Sequence, residues 1–123
     1  MTGKIEKVCR AAIEEYGESS QKQKALEEMG ELTSALVKHN FGRCDTRDVI
    51  TEIADVMITV SQMAIIFGED EVAAEINAKI DRLAGRIADK RLAKFEKSIE
   101  GEAIVVDRVT TLRNITNSIK GDV

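Results

Sequence analysis

A chain of 123 residues has room for one domain and not two, and burial at this size is modest enough that oligomerisation would help. With no proline and 3% aromatics, its core must come from Ile, Leu, Val, Met and Ala, which favours an all-α protein over a sandwich or barrel. The net charge of −4, with no concentrated basic face, argues against a nucleic-acid polymer as partner; an acidic protein handling a polyanion needs a metal and a few local cations.

Cys9 and Cys44 do not form a C-x-x-C pair and read as reduced intracellular thiols. The first residues, Met1-Thr2-Gly3-Lys4, lack an apolar signal core, and the longest nearly uncharged run, residues 56–68, is too short for a bilayer. The expectation is a cytoplasmic protein that does not meet a membrane.

The first helix is expected over residues 4–16, where Ile5, Val8, Cys9, Ala12, Ile13 and Tyr16 share one apolar stripe. Gly17 ends it. Ser20-Gln21-Lys22-Gln23 fits a capping box, so the second helix should start there and run over 21–39. Ala25, Met29, Leu32 and Leu36 lie on its apolar face, and Glu28 and Glu31 on the flank, with Lys24 one turn before. Glu27 is further round, towards solvent. Asn40, Phe41 and Gly42 close the helix.

A polar loop, 43–46, leads to a third helix over 47–67, capped by Asp45 or Thr46 with Asp48 in the first turn. Val49, Ile53, Val56, Val60 and Met63 make its expected buried stripe, widened by Ile50, Met57 and Ala64. Glu52, Asp55, Thr59 and Gln62 form a polar stripe along one edge. Gly68 ends the helix and Asp70 caps the fourth, which runs from about 71 into the nineties. There Ile76, Ile80, Leu83 and Ile87 make the apolar stripe, with Lys79 and Arg86 on one flank and Arg82 further round. Beyond Phe95 the pattern changes: residues 98–102 read as a loop, 103–106 as extended, and 107–120 as a short last helix stopped by Gly121. The expected architecture is an antiparallel bundle of about four helices over 1–97, with an extension over 98–123.

The chemistry lies in two carboxylate pairs. Glu28 and Glu31 are one helical turn apart, and so are Glu52 and Asp55. Consecutive helices joined by a short loop pack antiparallel, so four carboxylates can aim at one point. Converging oxygen ligands suit a hard divalent cation, Mg²⁺ or Mn²⁺. Either motif alone is more often a solvated face; the border position of both, and the cations on the fourth helix, favour a site. A di-iron bundle needs Glu-x-x-His on two helices, and the one histidine, His39, follows Leu36. His39 reads as a helix-end residue, Cys9 as core and Cys44 as an inert loop thiol. Lys24, Lys79 and Arg86, each taken alone, are as well read as solubilising charges.

Lys24…Glu27-Glu28-x-x-Glu31 followed by Glu52-x-x-Asp55 resembles the motif of the MazG-like all-α nucleoside triphosphate pyrophosphatases, a group that includes dimeric dUTPases and dCTP pyrophosphatases. The segments Glu52-Ile-Ala-Asp-Val-Met-Ile, Ile66-Phe-Gly and Lys79-Ile-Asp-Arg-Leu-x-x-Arg86-Ile are similar to its short bacterial and phage members, and the resemblance covers residues 20–87. The chain departs in Leu83, where some relatives carry Asn, and in having no tryptophan to stack a base.

The resemblance implies cleavage of a (d)NTP between the α- and β-phosphates to (d)NMP and pyrophosphate, in a homodimer or homotetramer. It implies metal held by Glu28, Glu31, Glu52 and Asp55, with Glu27 outside the ligand set or acting as base. It implies phosphate contacts from Lys24, Lys79 and Arg86, with Gln23 and the first helix beside the base. Two other readings stand beside it: a helical interaction module whose acids pair with Lys79, Arg82 and Arg86, and a nucleotide sensor without turnover.

Overall fold

The computed structural model describes residues 3–119, which form four helices: α1 Gly3–Tyr16, α2 Glu18–Asn40, α3 Thr46–Phe67 and α4 Glu69–Ile119. No strand occurs among the described residues. The protein is all-α, as its composition requires.

Gly17 separates α1 from α2 by a single residue. Its φ of +87° is open to glycine and strained for other residues, and it turns the chain at once. Its carbonyl accepts the Gln21 N–H at 3.1 Å. The expected capping box at Ser20 is therefore overtaken: α2 starts at Glu18, with Gly17 at the cap and no side-chain bond.

The start of α3 follows its sequence. Asp45 Oδ1 accepts from the Asp48 N–H at 2.9 Å, and Asp48 Oδ2 accepts from the Asp45 N–H at 3.1 Å. This reciprocal box satisfies two backbone donors and places acidic charge at the positive end of the helix. Gly68 closes α3 at φ +127° and also starts α4, its carbonyl accepting from Val72 at 3.0 Å.

The fourth helix differs from expectation. Residues 98–102 are not a loop and 103–106 are not extended; one α-helix runs through both to Ile119. With no proline in the chain, nothing there breaks a helix outright. Gly101 costs about 1 kcal/mol, and β-branched residues lower helix propensity only slightly. Gly121, the expected stop, lies outside the described residues.

The chain divides into a first unit that ends at Glu75 and a second that begins at Ile76. In the first, α2 packs chiefly on α3, and α1 touches both. Helices α2 and α3 are antiparallel: Cys44 Sγ donates to the Ala35 carbonyl beside the loop, and Glu28 and Glu31 meet Glu52 further away. Cys9 is buried as expected, its thiol 3.8 Å from the Ile58 carbonyl, and burial raises its pKa.

The two packed helices are rotated relative to the faces expected of them. On α2 the buried residues are Gln21, Ala25, Glu28 and Ala35; Met29 and Leu36 are exposed. On α3 the buried residues are Thr59 and Gln62; Glu52 and Asp55 are half-buried, as are Val49, Val56, Met63 and Ala64 of the expected stripe, while Ile50, Ile53, Met57 and Val60 are exposed. The stripe expected at an edge thus faces inward, and much of the expected core faces outward. Periodicity reports which residues share a face; it does not say which face a neighbour within the same chain will cover. The apolar row of α4 shows the same outcome: Ile76, Ile80, Leu83 and Ile87 are exposed.

Among the described residues one helix, α3, is long and apolar enough by length and composition to cross a membrane. The expectation that no segment reaches that length rested on the uncharged run alone. That helix also carries Glu52 and Asp55, and acids at the centre of a span cost about 2.5–3.5 kcal/mol each.

Candidate metal centre

Glu28 lies on the inward face of α2, Glu31 one turn later at its rim, and Glu52 opposite them on α3. One carboxylate oxygen from each lies within 4.8 Å of the other two. Oxygens on a single Mg²⁺, at about 2.0–2.1 Å, stand about 2.9 Å apart when adjacent and about 4.2 Å when opposite, so the three glutamates come within reach of one ion once their side chains draw inward. The antiparallel pairing of α2 and α3 brings these residues together, and the short loop from Phe41 to Asp45 fixes their register.

The hydrogen bonding inside this group is incomplete. Glu28 is 5% exposed; its Oε1 accepts from Lys24 Nζ at 2.8 Å, and its Oε2 has no partner. Glu52 Oε2 is also buried and bare, as is Gln62 Oε1. A buried acceptor without a partner costs about 1–3 kcal/mol, more when charged. A divalent cation bound to Glu28 Oε2 and Glu52 Oε2 would remove that cost, so the donor set fits a hard cation.

Electrostatics point the same way. The hydrogen bond from Lys24 holds the Glu28 carboxyl below its ordinary range, against the opposing effect of burial. Glu31 is pushed upward, first by the Glu28 carboxyl beside it and the charge of that group, then by burial, then by the charges of Glu52 and Glu27. Without a cation, charge on Glu31 is resisted by its neighbours.

The structure thus assembles Glu28, Glu31 and Glu52. Asp55, half-buried one turn beyond Glu52, stands outside the 4.8 Å group. Glu27 is exposed and 3.4 Å from Lys24 Nζ, which thereby bridges Glu27 and Glu28. Gln23 lines a separate shallow cleft with Tyr16, Ser20, Lys24 and Glu27. Lys79 and Arg86 are exposed on α4 in the second unit. His39 is a helix-end residue as expected, its Nε2 3.4 Å from Thr46 Oγ1.

Sequence reading missed the surroundings of the cluster. A cavity of about 360 Å³ opens beside it, lined by Glu31, Ser34, Lys38, Arg43, Asp48 and Glu52. A signal was present: Lys38 is seven residues from Glu31, two turns along the same face, and Asp48 is four before Glu52.

Comparison of the chain with models of known protein families, with curated proteins and with solved structures found no match. The molecule is an all-α protein, with four helices among the described residues, carrying an acidic cluster in which three glutamates could hold a metal ion.

Proposed function

We propose that the chain is a Mg²⁺-dependent nucleoside triphosphate pyrophosphohydrolase that converts a (d)NTP to the (d)NMP and pyrophosphate. The observation that carries this reading is the Glu28–Glu31–Glu52 group with two buried, bare carboxylate oxygens. The motif resemblance supports it, since the same residues head both motifs.

Glu28, Glu31 and Glu52 would hold the cation, Mg²⁺ or Mn²⁺, with Asp55 one turn away to complete or orient the set. When bound, the cation would supply charge neutralisation for the triphosphate and acidify the attacking water. Glu27, exposed beside the cluster, accepts that water's proton. The water oxygen bonds to the α-phosphorus, the α–β bridging bond breaks, and pyrophosphate leaves with the electron pair. Lys24, one turn before Glu28, meets phosphate. Gln23 borders the base.

The exposed row Ile50, Ile53, Met57 and Val60 on α3 supports a homodimer or homotetramer, because such a patch is costly in water. A cytoplasmic site of action, away from membranes and nucleic-acid polymers, fits the acidic charge and the free thiols.

A second reading, a helical interaction module, draws on the exposed apolar row of α4, which includes Leu92, Phe95 and Ile99. A panel of NTPs and dNTPs with Mg²⁺, scored for pyrophosphate against orthophosphate, separates the two. Release of pyrophosphate supports the enzyme; folded, Mg²⁺-loaded protein that releases none from any of them removes it.

A further inference from the structure

The cavity beside the carboxylates holds two cations that the motif resemblance does not use. Lys38 is in the last turn of α2, and Arg43 is in the loop that follows. The loop is tied back to the helix, with the Arg43 N–H donating to the Lys38 carbonyl at 2.8 Å. The Arg43 guanidinium sits 5.7 Å from the Phe41 ring centroid, which biases its direction. Ion pairs in the first unit join Arg10 to Glu6 and Glu69, and Lys24 to Glu27 and Glu28. Lys38 and Arg43 are in none of them, although Glu31, Asp48 and Glu52 line the same cavity.

Asp48 is committed elsewhere, accepting from the Asp45 N–H. Glu31 and Glu52 belong to the carboxylate group with the buried, unpartnered oxygens. The cavity wall therefore has metal-seeking oxygens at one end and unspent basic groups at the other. That polarity matches a cation–polyphosphate complex, whose metal and phosphates are bound to each other. Three acids against two bases leave the lining at −1; a divalent cation held by Glu28, Glu31 and Glu52 would offset the negative charge of the acids, so the phosphate side becomes attractive once the metal is seated. The volume of about 360 Å³ is adequate for a polyphosphate chain.

We propose that Lys38 and Arg43 form a phosphate subsite in this cavity, gripping the phosphates of a metal-bound polyphosphate chain. The proposal rests on the reading of Glu28, Glu31 and Glu52 as a metal centre and adds to it the side from which the phosphates approach. Arg43 suits a bidentate grip on phosphate oxygens, and Lys38 a point contact.

The test is calorimetric titration of tripolyphosphate, and separately of a non-hydrolysable NTP analogue, into protein with and without Mn²⁺. It uses wild type, Lys38→Gln and Arg43→Gln, with Mn²⁺ binding alone followed by electron paramagnetic resonance and folding by circular dichroism. Both substitutions are at exposed positions. Each should weaken Mn²⁺–tripolyphosphate binding at least about tenfold, as expected for a lost charge-assisted contact, while Mn²⁺ alone binds unchanged. Tripolyphosphate without Mn²⁺ should not bind. Equal affinity of wild type and both variants, or no binding to Mn²⁺-loaded wild type, overturns the subsite. Weakening of the analogue but not of tripolyphosphate also overturns it, since the contact would then be to the nucleoside. Pyrophosphate release from NTPs with both variants unimpaired would refute the subsite and keep the enzyme. Variant-sensitive tripolyphosphate binding without pyrophosphate release would do the reverse.

Discussion

Lys24 Nζ lies 2.8 Å from Glu28 Oε1 and leaves Glu28 Oε2 buried and bare. The lysine satisfies half of the carboxylate, and Glu31 and Glu52 stand beside it on α2 and α3. A cation that joins them stabilises the folded form by mass action.

Saturating Mg²⁺ should therefore raise the melting temperature. At a hundredfold excess over Kd the gain is about 2.7 kcal/mol, several degrees for a domain of this size. Glu28→Gln should remove the shift and abolish turnover while helicity is kept. Calorimetry with and without chelator reads both; an unchanged Mg²⁺ response in the variant would exclude Glu28 as a ligand.

Asp55→Asn separates ligation from positioning. Because the three-glutamate group forms without Asp55, the variant should still bind Mn²⁺ while turnover falls about a hundredfold or more. Single-turnover pyrophosphate release and Mn²⁺ titration together give the answer, and wild-type rates would remove Asp55 from the site.

The acid response of the metal-free protein has two opposed parts. Glu31, raised by Glu28, contributes stability below its unfolded pKa that is lost as pH rises through its folded pKa. Glu28, lowered by Lys24, contributes stability above its unfolded pKa that is lost as pH falls through its folded pKa. Glu31→Gln should thus raise the metal-free melting temperature at neutral pH and weaken the response to Mg²⁺. In wild type, Mg²⁺ affinity should fall with acidification through the raised Glu31 pKa, with proton release on binding. Calorimetry in buffers of different ionisation enthalpy measures that proton.

Asp45→Ala should cost about 1 kcal/mol by opening the reciprocal cap of α3. Urea denaturation with an unchanged m-value would show the loss, and Mg²⁺ affinity should weaken modestly because α3 carries Glu52.

Met57→Lys, on the outward row of α3 and 66% exposed, should disperse an assembly. Light scattering should give the monomer mass for the variant and a multiple of it for the wild type. A wild type that is already monomeric would sink the assembly proposal.

The sequence spelled out helix positions well where glycine or a cap marks them: Gly17, Gly42, Gly68 and Asp45 fall at or beside observed ends. It also placed Glu28 and Glu31 opposite Glu52, because spacing on two helices joined by a short loop leaves few alternatives. It did not reveal how far α2 and α3 rotate, since Met29 and Glu28 are adjacent and both faces satisfy the same period. Nor did it reveal the continuity of α4 through residue 101, where one glycine and a β-branched run suggest a break that no true breaker enforces. Lys38 and Arg43 sit at a helix end and in a loop, where basic residues serve equally as caps and do not by themselves mark a site.

The inward face of the first unit has a calorimetric consequence. Among the described residues its buried apolar side chains are Cys9, Ala25 and Ala35. The heat-capacity increment on unfolding grows with apolar area exposed and shrinks with polar area exposed. A lone chain should therefore show a small increment and a shallow stability curve, with little tendency to unfold in the cold. Strong curvature, where it occurs, must come from chains meeting one another, and the thermogram should then change with dilution.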